Sequence, residues 1–222
     1  MIGLRRIVLV ARREIMAERR EPDGLVAALT FLALLILIES LVIGPATARE
    51  PAVAAALFWI AMTFALMFSA TRSFDRELED EAMEAILALP GGRDAIYGGK
   101  VTALAAGTVV SAVASGALAL VLLDLGVALP AHLAIVVVVG SLALPPVIVL
   151  DVMLALRLRA RGVLVPILAL PALVPQLVAA TQAAAAALTG DGTAALAWSG
   201  LLAAFGLLYA VLGFALGPST LD

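Results

Sequence analysis

Long apolar segments alternate with short polar ones along almost the whole chain. Six of the apolar segments have about the 20 residues that a helix needs to cross a bilayer. These predicted spans cover 24–44, 52–71, 99–123, 131–156, 162–188 and 194–217. The pattern predicts an all-α integral membrane protein with six transmembrane helices, in which residues 1–222 form a single transmembrane domain.

The longest polar segment, 72–98, lies between the second and third predicted spans. Phe74, Leu78 and Ala82 recur at every fourth position, and Ile86 continues the series, which predicts an amphipathic helix. A Pro-Gly-Gly sequence ends this helix. Because an apolar span flanks it on each side, we expect this acidic helix to protrude from one face of the membrane.

The first 20 residues carry three pairs of arginines. The pairs are Arg5-Arg6, Arg12-Arg13 and Arg19-Arg20. Their spacing of seven keeps them on one side of a helix, opposite apolar residues such as Ile7 and Ala11. The pattern predicts an amphipathic helix in the membrane interface, with arginines toward anionic lipid headgroups and no role in nucleic-acid binding. Glu14 and Glu18 interrupt its apolar side.

The distribution of basic residues predicts the orientation of the spans. Of the 14 lysine and arginine residues, only Arg49 falls in a loop on the opposite side of the membrane from the others. Since basic residues are enriched in cytoplasmic loops, both termini and the acidic helix are predicted to be cytoplasmic.

Composition supports a membrane protein and restricts its chemistry. Hydrophobic residues make up 64% of the chain, charged residues 14%, and the mean hydropathy is +1.13, well outside the range of soluble domains. Cysteine is absent, which excludes disulfides, thiolate metal sites and a thiol nucleophile. The basic N-terminal region lacks a small-residue cleavage site, so we expect no cleavable signal.

Two features predict irregular or close helix packing. Small residues at every fourth position of the third span, Gly107, Ser111 and Ser115, favour close approach of another helix. Prolines within the fourth and fifth spans are expected to kink or break those helices. These prolines are Pro145, Pro146, Pro166, Pro171 and Pro175.

Three ionisable residues within or next to the spans have alternative interpretations. Glu39 could line a substrate path, or reach water or Arg49 at the interface. Asp151 could be functional, or form a salt bridge with the arginines that follow the fourth span, at 157, 159 and 161. His132 could ligate haem or a metal, but no second ligand lies nearby, so a simple interfacial histidine is favoured.

No catalytic or metal site is visible in the sequence. The segment Gly98-Gly99-Lys100 superficially resembles a phosphate-binding loop, but Asp94 occupies the position of the first glycine and Val101 follows the lysine. Paired carboxylates and a Ser/His/Asp set are also missing. The chain is therefore predicted not to be an enzyme.

Several motifs resemble the CcmB family, the haem exporter B proteins of cytochrome c maturation, within the ABC-2 class of permeases. The motifs are Arg12-Arg13-Glu14, Phe58-Trp59-Ile60, Phe74-Asp75-Arg76-Glu77-Leu78-Glu79-Asp80, Met83-Glu84, Ile86-Leu87-Ala88-Leu89-Pro90, Gly99-Lys100 and the Pro171 and Pro175 pair. The resemblance covers nearly the whole chain and implies a subunit of an ABC transporter in the bacterial cytoplasmic (inner) membrane.

The resemblance also implies partners and site residues. An ATPase subunit (CcmA-like) would hold ATP and magnesium and dock on the N-terminal helix and the loop helix. The implied coupling residues are Phe74, Asp75, Glu77, Leu78, Glu79, Asp80 and Glu84. Further implied partners are a haem-handling membrane protein (CcmC-like), a small single-span subunit (CcmD-like), a haem chaperone (CcmE-like) and a second copy of the chain. Haem would be held by the partners, and no cofactor by this chain alone.

Two alternatives share most of this architecture. One is an ABC-2 permease that exports a lipid, a polysaccharide or a drug. The other is a scaffold that couples an ATPase to a neighbouring membrane subunit without transporting anything itself. A wide cavity with Glu39 exposed would favour transport, whereas a closed dimer interface with no continuous path would favour a coupler of neighbouring subunits.

Overall fold

The computed structural model describes residues 2–20, 22–42, 44–79, 92–155 and 161–217. Within these ranges the chain is helical and contains no strand, which confirms the all-α prediction. The helices are α1 (Ile2–Arg20), α2 (Asp23–Val42), α3 (Pro45–Ala48), α4 (Pro51–Glu79), α5 (Gly92–Leu122), α6 (Pro130–Ala155), α7 (Arg161–Thr189) and α8 (Gly192–Leu216).

Among the described residues, five helices contain segments long and apolar enough to cross a membrane. These segments are Pro51–Arg76, Asp94–Leu122, Pro130–Ala155, Pro171–Thr189 and Gly192–Leu216. The first predicted span corresponds to α2, a helix of 20 residues whose described apolar part is Leu29–Ile38. Five of the six spans are thus found, and the sixth stays a prediction.

The second and third spans extend further toward the acidic segment than the hydropathy pattern predicts. Helix α4 continues to Glu79 instead of ending at 71, and α5 begins at Gly92 instead of 99. No proline or glycine interrupts α4 before Glu79, and Phe74 keeps the apolar face in phase with the span above it. The first part of the predicted loop helix is therefore a continuation of α4. The rest of it lies outside the described residues.

The prolines of the fourth and fifth spans do not end their helices. Helix α6 runs through Pro145 and Pro146, both of which are buried, and α7 runs through the three prolines of its sequence. Both prolines are buried by neighbouring helices, and the Tyr97 hydroxyl donates a hydrogen bond of 3.3 Å to the Pro146 carbonyl oxygen in the same part of α6. A proline leaves a backbone carbonyl without its usual N–H donor, which is costly in contact with lipid. Prolines are therefore tolerated in membrane helices where neighbouring protein covers them.

Helix α6 lies at the centre of the fold, in contact with α4, α5, α7 and α8. Small residues allow two of these approaches. A Cβ atom at Gly140 would overlap the Trp59 ring of α4, and a Cβ atom at Gly206 of α8 would lie 2.7 Å from Ala143 Cα. Close approach at small residues is the usual packing mode of membrane helices.

A tight turn joins α7 to α8. Gly190 has a φ of +97°, which favours glycine, and follows the end of α7. The Asp191 carboxylate then accepts a hydrogen bond of 2.9 Å from the Ala194 N–H, capping α8. The turn holds these two helices antiparallel, with α6 beside both.

Candidate functional site

A fully buried lysine joins three helices beside the acidic segment. Lys100 Nζ donates hydrogen bonds to Ser73 Oγ at 2.7 Å, to the Ser73 carbonyl oxygen at 3.1 Å and to Glu14 Oε1 at 3.3 Å. An ammonium group has three donors, and each of these contacts provides an acceptor. We call Lys100, Glu14, Ser73 and Phe74 the Lys100 junction, since they connect α1, α4 and α5.

The remaining contacts of the Lys100 junction complete its network. Ser73 Oγ donates to Glu14 Oε2 at 2.7 Å, so the hydroxyl bridges the ammonium and the carboxylate. The Phe74 ring is fully buried, and Lys100 Nζ lies 4.5 Å from its centroid, within range of a cation–π interaction. Phe74 therefore contributes packing and electrostatic stabilisation from the interior.

Two adjacent glycines explain how α1 comes close enough to reach the junction. A Cβ atom at Gly98 would lie 3.0 Å from Ile7 Cδ1, and one at Gly99 would lie 2.6 Å from Val10 Cβ. Because glycine has no side chain, α1 packs directly against the backbone of α5 at these two positions. This packing gives the Gly98-Gly99-Lys100 segment a role in helix contact, in place of the phosphate-binding loop that it superficially resembles.

The junction also explains the acidic residues on the apolar side of α1. The Glu14 side chain is 11% exposed and the Lys100 side chain 0%, so the pair lies out of water, where an uncompensated charge would be costly. One turn further along α1, Glu18 Oε2 lies 3.9 Å from Arg76 Nη2, with both side chains about a third exposed. Glu14 and Glu18 thus both face basic side chains of the helices beneath α1.

A cavity of about 390 Å³ adjoins the junction between α1, α4 and α5. Its walls are mostly apolar, and its charged residues lie toward α1. The lining residues include Met62, Leu66, Ser69, Leu104, Gly107, Val110 and Ser111, with Glu14, Glu18, Arg19 and Arg76 at the charged end. Among the described residues, no heavy atom beyond the backbone of its own helix lies within 4 Å of a Cβ atom built at Gly107. Part of the predicted small-residue face of α5 therefore lines open space within this chain.

The predicted coupling residues are distributed over the end of α4 and the segment beyond it. Phe74 belongs to the Lys100 junction, and the next residue, Asp75, is partly buried. Three more, Glu77, Leu78 and Glu79, occupy the last turn of α4. The remaining two, Asp80 and Glu84, lie outside the described residues.

The predicted interfacial anchors all lie on α1. Arg5, Arg12 and Arg13 are exposed and Arg6 is partly buried. The apolar side of α1 divides between two environments. Ala11 is buried, whereas Leu4 is 70% exposed and Val8 57% exposed.

The intramembrane candidates do not converge on one site. Glu39 lies in α2, and Asp151 is buried in α6 with no hydrogen-bond partner for Oδ2 among the described residues. The predicted salt bridge of Asp151 involves the arginines at 157, 159 and 161, whose side chains lie outside the described part of the chain. His132 is partly buried beside Gly192 at the start of α8. Where the chain is described, no three His, Asp or Glu residues group as metal ligands.

The structure adds Ser73 and Gln176 as functional candidates and gives Glu14 a partner that the sequence pattern does not reveal. Ser73 and Glu14 acquire their importance only through Lys100, although an acidic residue on an apolar helix face was a usable signal. Gln176 in α7 is fully buried, and neither atom of its amide has a hydrogen-bond partner in the described structure. The sequence signal for Gln176 is an amide side chain within an apolar span, since burying an amide in such a span is costly.

Comparison with known proteins identifies the family. No curated protein matched the chain. A family model described as CcmB protein matches residues 5–220, which include every helix of the fold from α2 onward and most of α1. The chain therefore belongs to the CcmB family, the multi-pass inner-membrane components of a bacterial haem exporter in cytochrome c maturation.

Proposed function

We propose that this chain is the permease subunit through which a partner ATPase (CcmA-like) drives haem export or release of the haem chaperone. Family membership already implies association with other components of the transporter, such as an ATPase. The observation that carries the proposal is the Lys100 junction. It ties α1, the end of α4 and the start of α5 together beside the acidic segment where the ATPase would dock.

The junction supports transmission of movement from that segment into the membrane. Helix α4 is continuous from Pro51 to Glu79, so a displacement of its acidic end also moves the buried span. Lys100 bonds to both α1 and α4 from within α5. Because charged hydrogen bonds in a buried site are costly to break, these three helices should move as one unit.

The docking surface would consist of α1 and the acidic residues around the end of α4. Asp75, Glu77, Leu78, Glu79, Asp80 and Glu84 are the proposed coupling residues. Phe74 has a different role within the same proposal. Its side chain is fully buried, so it supports the end of α4 by packing and does not itself touch a soluble partner.

The proposed topology has six spans, an interfacial α1 and both termini in the cytoplasm. The five apolar helices and the arginine distribution support it. Because the chain lacks cysteine, single cysteines can report accessibility without background. Ala46→Cys in α3 should react with a membrane-impermeant maleimide in intact spheroplasts, and Ser219→Cys only after permeabilisation. The opposite pattern would refute this orientation.

The full assembly would contain two copies of this chain and the other haem-handling components. We propose a CcmC-like membrane protein, a CcmD-like single-span subunit and a CcmE-like chaperone as partners. ATP and magnesium would be bound by the ATPase, and haem by the partner subunits. In this assembly the chain has no enzymatic activity and binds no cofactor alone.

Purification from the native membrane in mild detergent tests the assignment. Mass spectrometry should identify an ATPase together with haem-handling and haem-chaperone proteins. An ATPase without haem proteins would indicate a general ABC-2 exporter, and haem proteins without an ATPase would overturn the proposed coupling to ATP hydrolysis.

Charge reversal tests the docking surface within this assembly. Glu79→Lys combined with Asp80→Lys should reduce ATPase retention and cytochrome c assembly while the unfolding temperature stays unchanged. Glu50→Lys, an exposed reversal beyond the other end of α4, is the matched control. Normal ATPase retention with normal cytochrome c assembly in the double variant would overturn the coupling proposal.

A further inference from the structure

The cavity between α1, α4 and α5 has the length of one bilayer leaflet. Its lining on α4 extends from Arg76 to Met62, about 21 Å at a rise of 1.5 Å per residue. A bilayer is about 40–45 Å thick with its headgroup regions, so one leaflet is roughly 20–22 Å. A molecule that follows this wall would thus run from the interface toward the middle of the membrane.

The chemistry of the lining changes along that length. Met62, Leu66 and Leu104 form the apolar part, and Val110 extends it. The charged part is formed by residues of α1 and by Arg76. A ligand that satisfies both parts must be an amphiphile with a long apolar chain.

The charges at the mouth favour an anionic head group. Glu14 is bound by Lys100 at 3.3 Å, and Glu18 lies 3.9 Å from Arg76. Arg19, which is exposed, completes the charged lining, whose two glutamates and two arginines sum to zero. Lys100, which lies behind Glu14 and outside the lining, brings the group to one net positive charge. The Arg76–Glu18 pair is long and partly exposed, so it holds Arg76 only weakly. Arginine is well suited to binding phosphate oxygens.

We propose that this cavity is a binding site for one membrane phospholipid. Its phosphate lies at Arg19 and Arg76, and one acyl chain lies along α4 and α5. The bound lipid fills the space that Gly107 leaves open and supports α1 beside the Lys100 junction. This site does not depend on the proposed coupling to an ATPase.

A photoactivatable phosphatidylglycerol with a diazirine on one acyl chain tests the site in vesicles of phosphatidylcholine. Peptide mass spectrometry should locate crosslinks on the cavity walls, in 62–69 of α4 and 103–111 of α5. Excess unlabelled phosphatidylglycerol should displace them. Crosslinks to the exposed residues Leu207 and Val211 of α8 measure general contact with lipid and should persist.

Filling the cavity provides the first discriminating variant. Gly107→Phe places a ring in the open space that the acyl chain would occupy. It should lower the cavity crosslinks about tenfold relative to those on α8, which corresponds to about 1.4 kcal/mol of lipid binding. Gly200→Phe on α8 is the matched control, since a Cβ atom there also meets nothing within 4 Å. Equal cavity crosslinking in wild type and Gly107→Phe would overturn the proposal.

Removing the phosphate contact provides a second, independent variant at an exposed position that is not needed for packing. Arg19→Gln should lower the cavity crosslinks several-fold and reduce the preference for phosphatidylglycerol over phosphatidylcholine. Arg5→Gln, on the same helix but outside the cavity lining, should leave both unchanged. Indistinguishable results for the two arginine variants would refute the placement of the phosphate.

Discussion

Lys100 Nζ and Glu14 Oε1 lie 3.3 Å apart although the two residues are 86 positions apart in the chain. Their contact connects the N-terminal helix to the start of a membrane span. Neither charge has ready access to water, because the lysine side chain is fully buried and the glutamate side chain is 11% exposed. Each charge therefore compensates the other in this buried position.

Breaking this pair on one side should destabilise the protein strongly. Glu14→Gln or Lys100→Met each removes one member of a buried ion pair, which costs about 3–5 kcal/mol. The double variant should lose clearly less than the sum of the two single losses, because neither charge remains. Reversible unfolding in mixed detergent and SDS micelles measures all three free energies.

The neighbouring Glu18–Arg76 pair, which joins α1 to α4, is the control for that experiment. Glu18 and Arg76 are about a third exposed and 3.9 Å apart, so Glu18→Gln should change stability by at most about 1 kcal/mol. Additive losses for Glu14 and Lys100, or an equally large loss for Glu18→Gln, would contradict the burial argument.

Phe74→Ala should destabilise the end of α4 by about 3–5 kcal/mol. The ring is fully buried and lies against Lys100, so its removal leaves a cavity and a less stabilised ammonium group. Phe68→Ala, on the same helix at a side chain 49% exposed, should cost much less in a detergent micelle. The measured quantity is the free energy of unfolding of each variant.

The outcome for Phe74 also bears on how coupling is tested. An unchanged unfolding free energy in Phe74→Ala, together with loss of ATPase binding, would show that the ring contacts the partner directly. Because the Phe74 ring is buried, we expect Phe74→Ala to lower the unfolding free energy and not to remove a direct contact with the ATPase. Charge reversal at the end of α4 is consequently the cleaner test of coupling.

Gly213→Ala should be poorly tolerated because a Cβ atom there would overlap the Tyr97 ring. Tyr97 is fully buried, and its hydroxyl lies 3.1 Å from the Tyr209 carbonyl oxygen and 3.3 Å from that of Pro146. Forcing the ring to move should cost about 1–3 kcal/mol. Gly200→Ala on the same helix meets open space and should be neutral or slightly stabilising, since alanine favours helix. Equal thermal shifts for both variants would contradict the packing described here.

The sequence predicted the helical class and five of the spans because membrane insertion requires long apolar segments, which the hydropathy of the chain reveals. It predicted the family through short motifs such as Phe58-Trp59-Ile60. It misplaced the end of α4 because hydropathy falls at Arg72, whereas the helix is continued by Phe74 and its neighbours. Hydropathy indicates which residues prefer lipid, and a helix can extend beyond the membrane boundary that it marks.

The Lys100 junction could not be predicted from the sequence because each residue had a plausible local explanation. Lys100 counted as a loop charge, and Glu14 as an imperfection in an amphipathic helix. Only the packing of α1 on Gly98 and Gly99 brings the two charges together. Long-range pairing of this kind depends on helix arrangement, about which periodicity along one helix carries no information.

Gln176→Leu should stabilise the protein. Gln176 is fully buried, and in the described structure neither its carbonyl oxygen nor its amide nitrogen has a hydrogen-bond partner. An unsatisfied buried polar group costs about 1–3 kcal/mol, and leucine has a similar volume without that cost. Gln182→Leu, an exposed position on the same helix, should leave the unfolding free energy nearly unchanged. Retention of the amide despite its cost would be explained if Gln176→Leu raised stability but reduced cytochrome c assembly. A destabilised Gln176→Leu variant would show instead that the amide has a stabilising partner in the membrane.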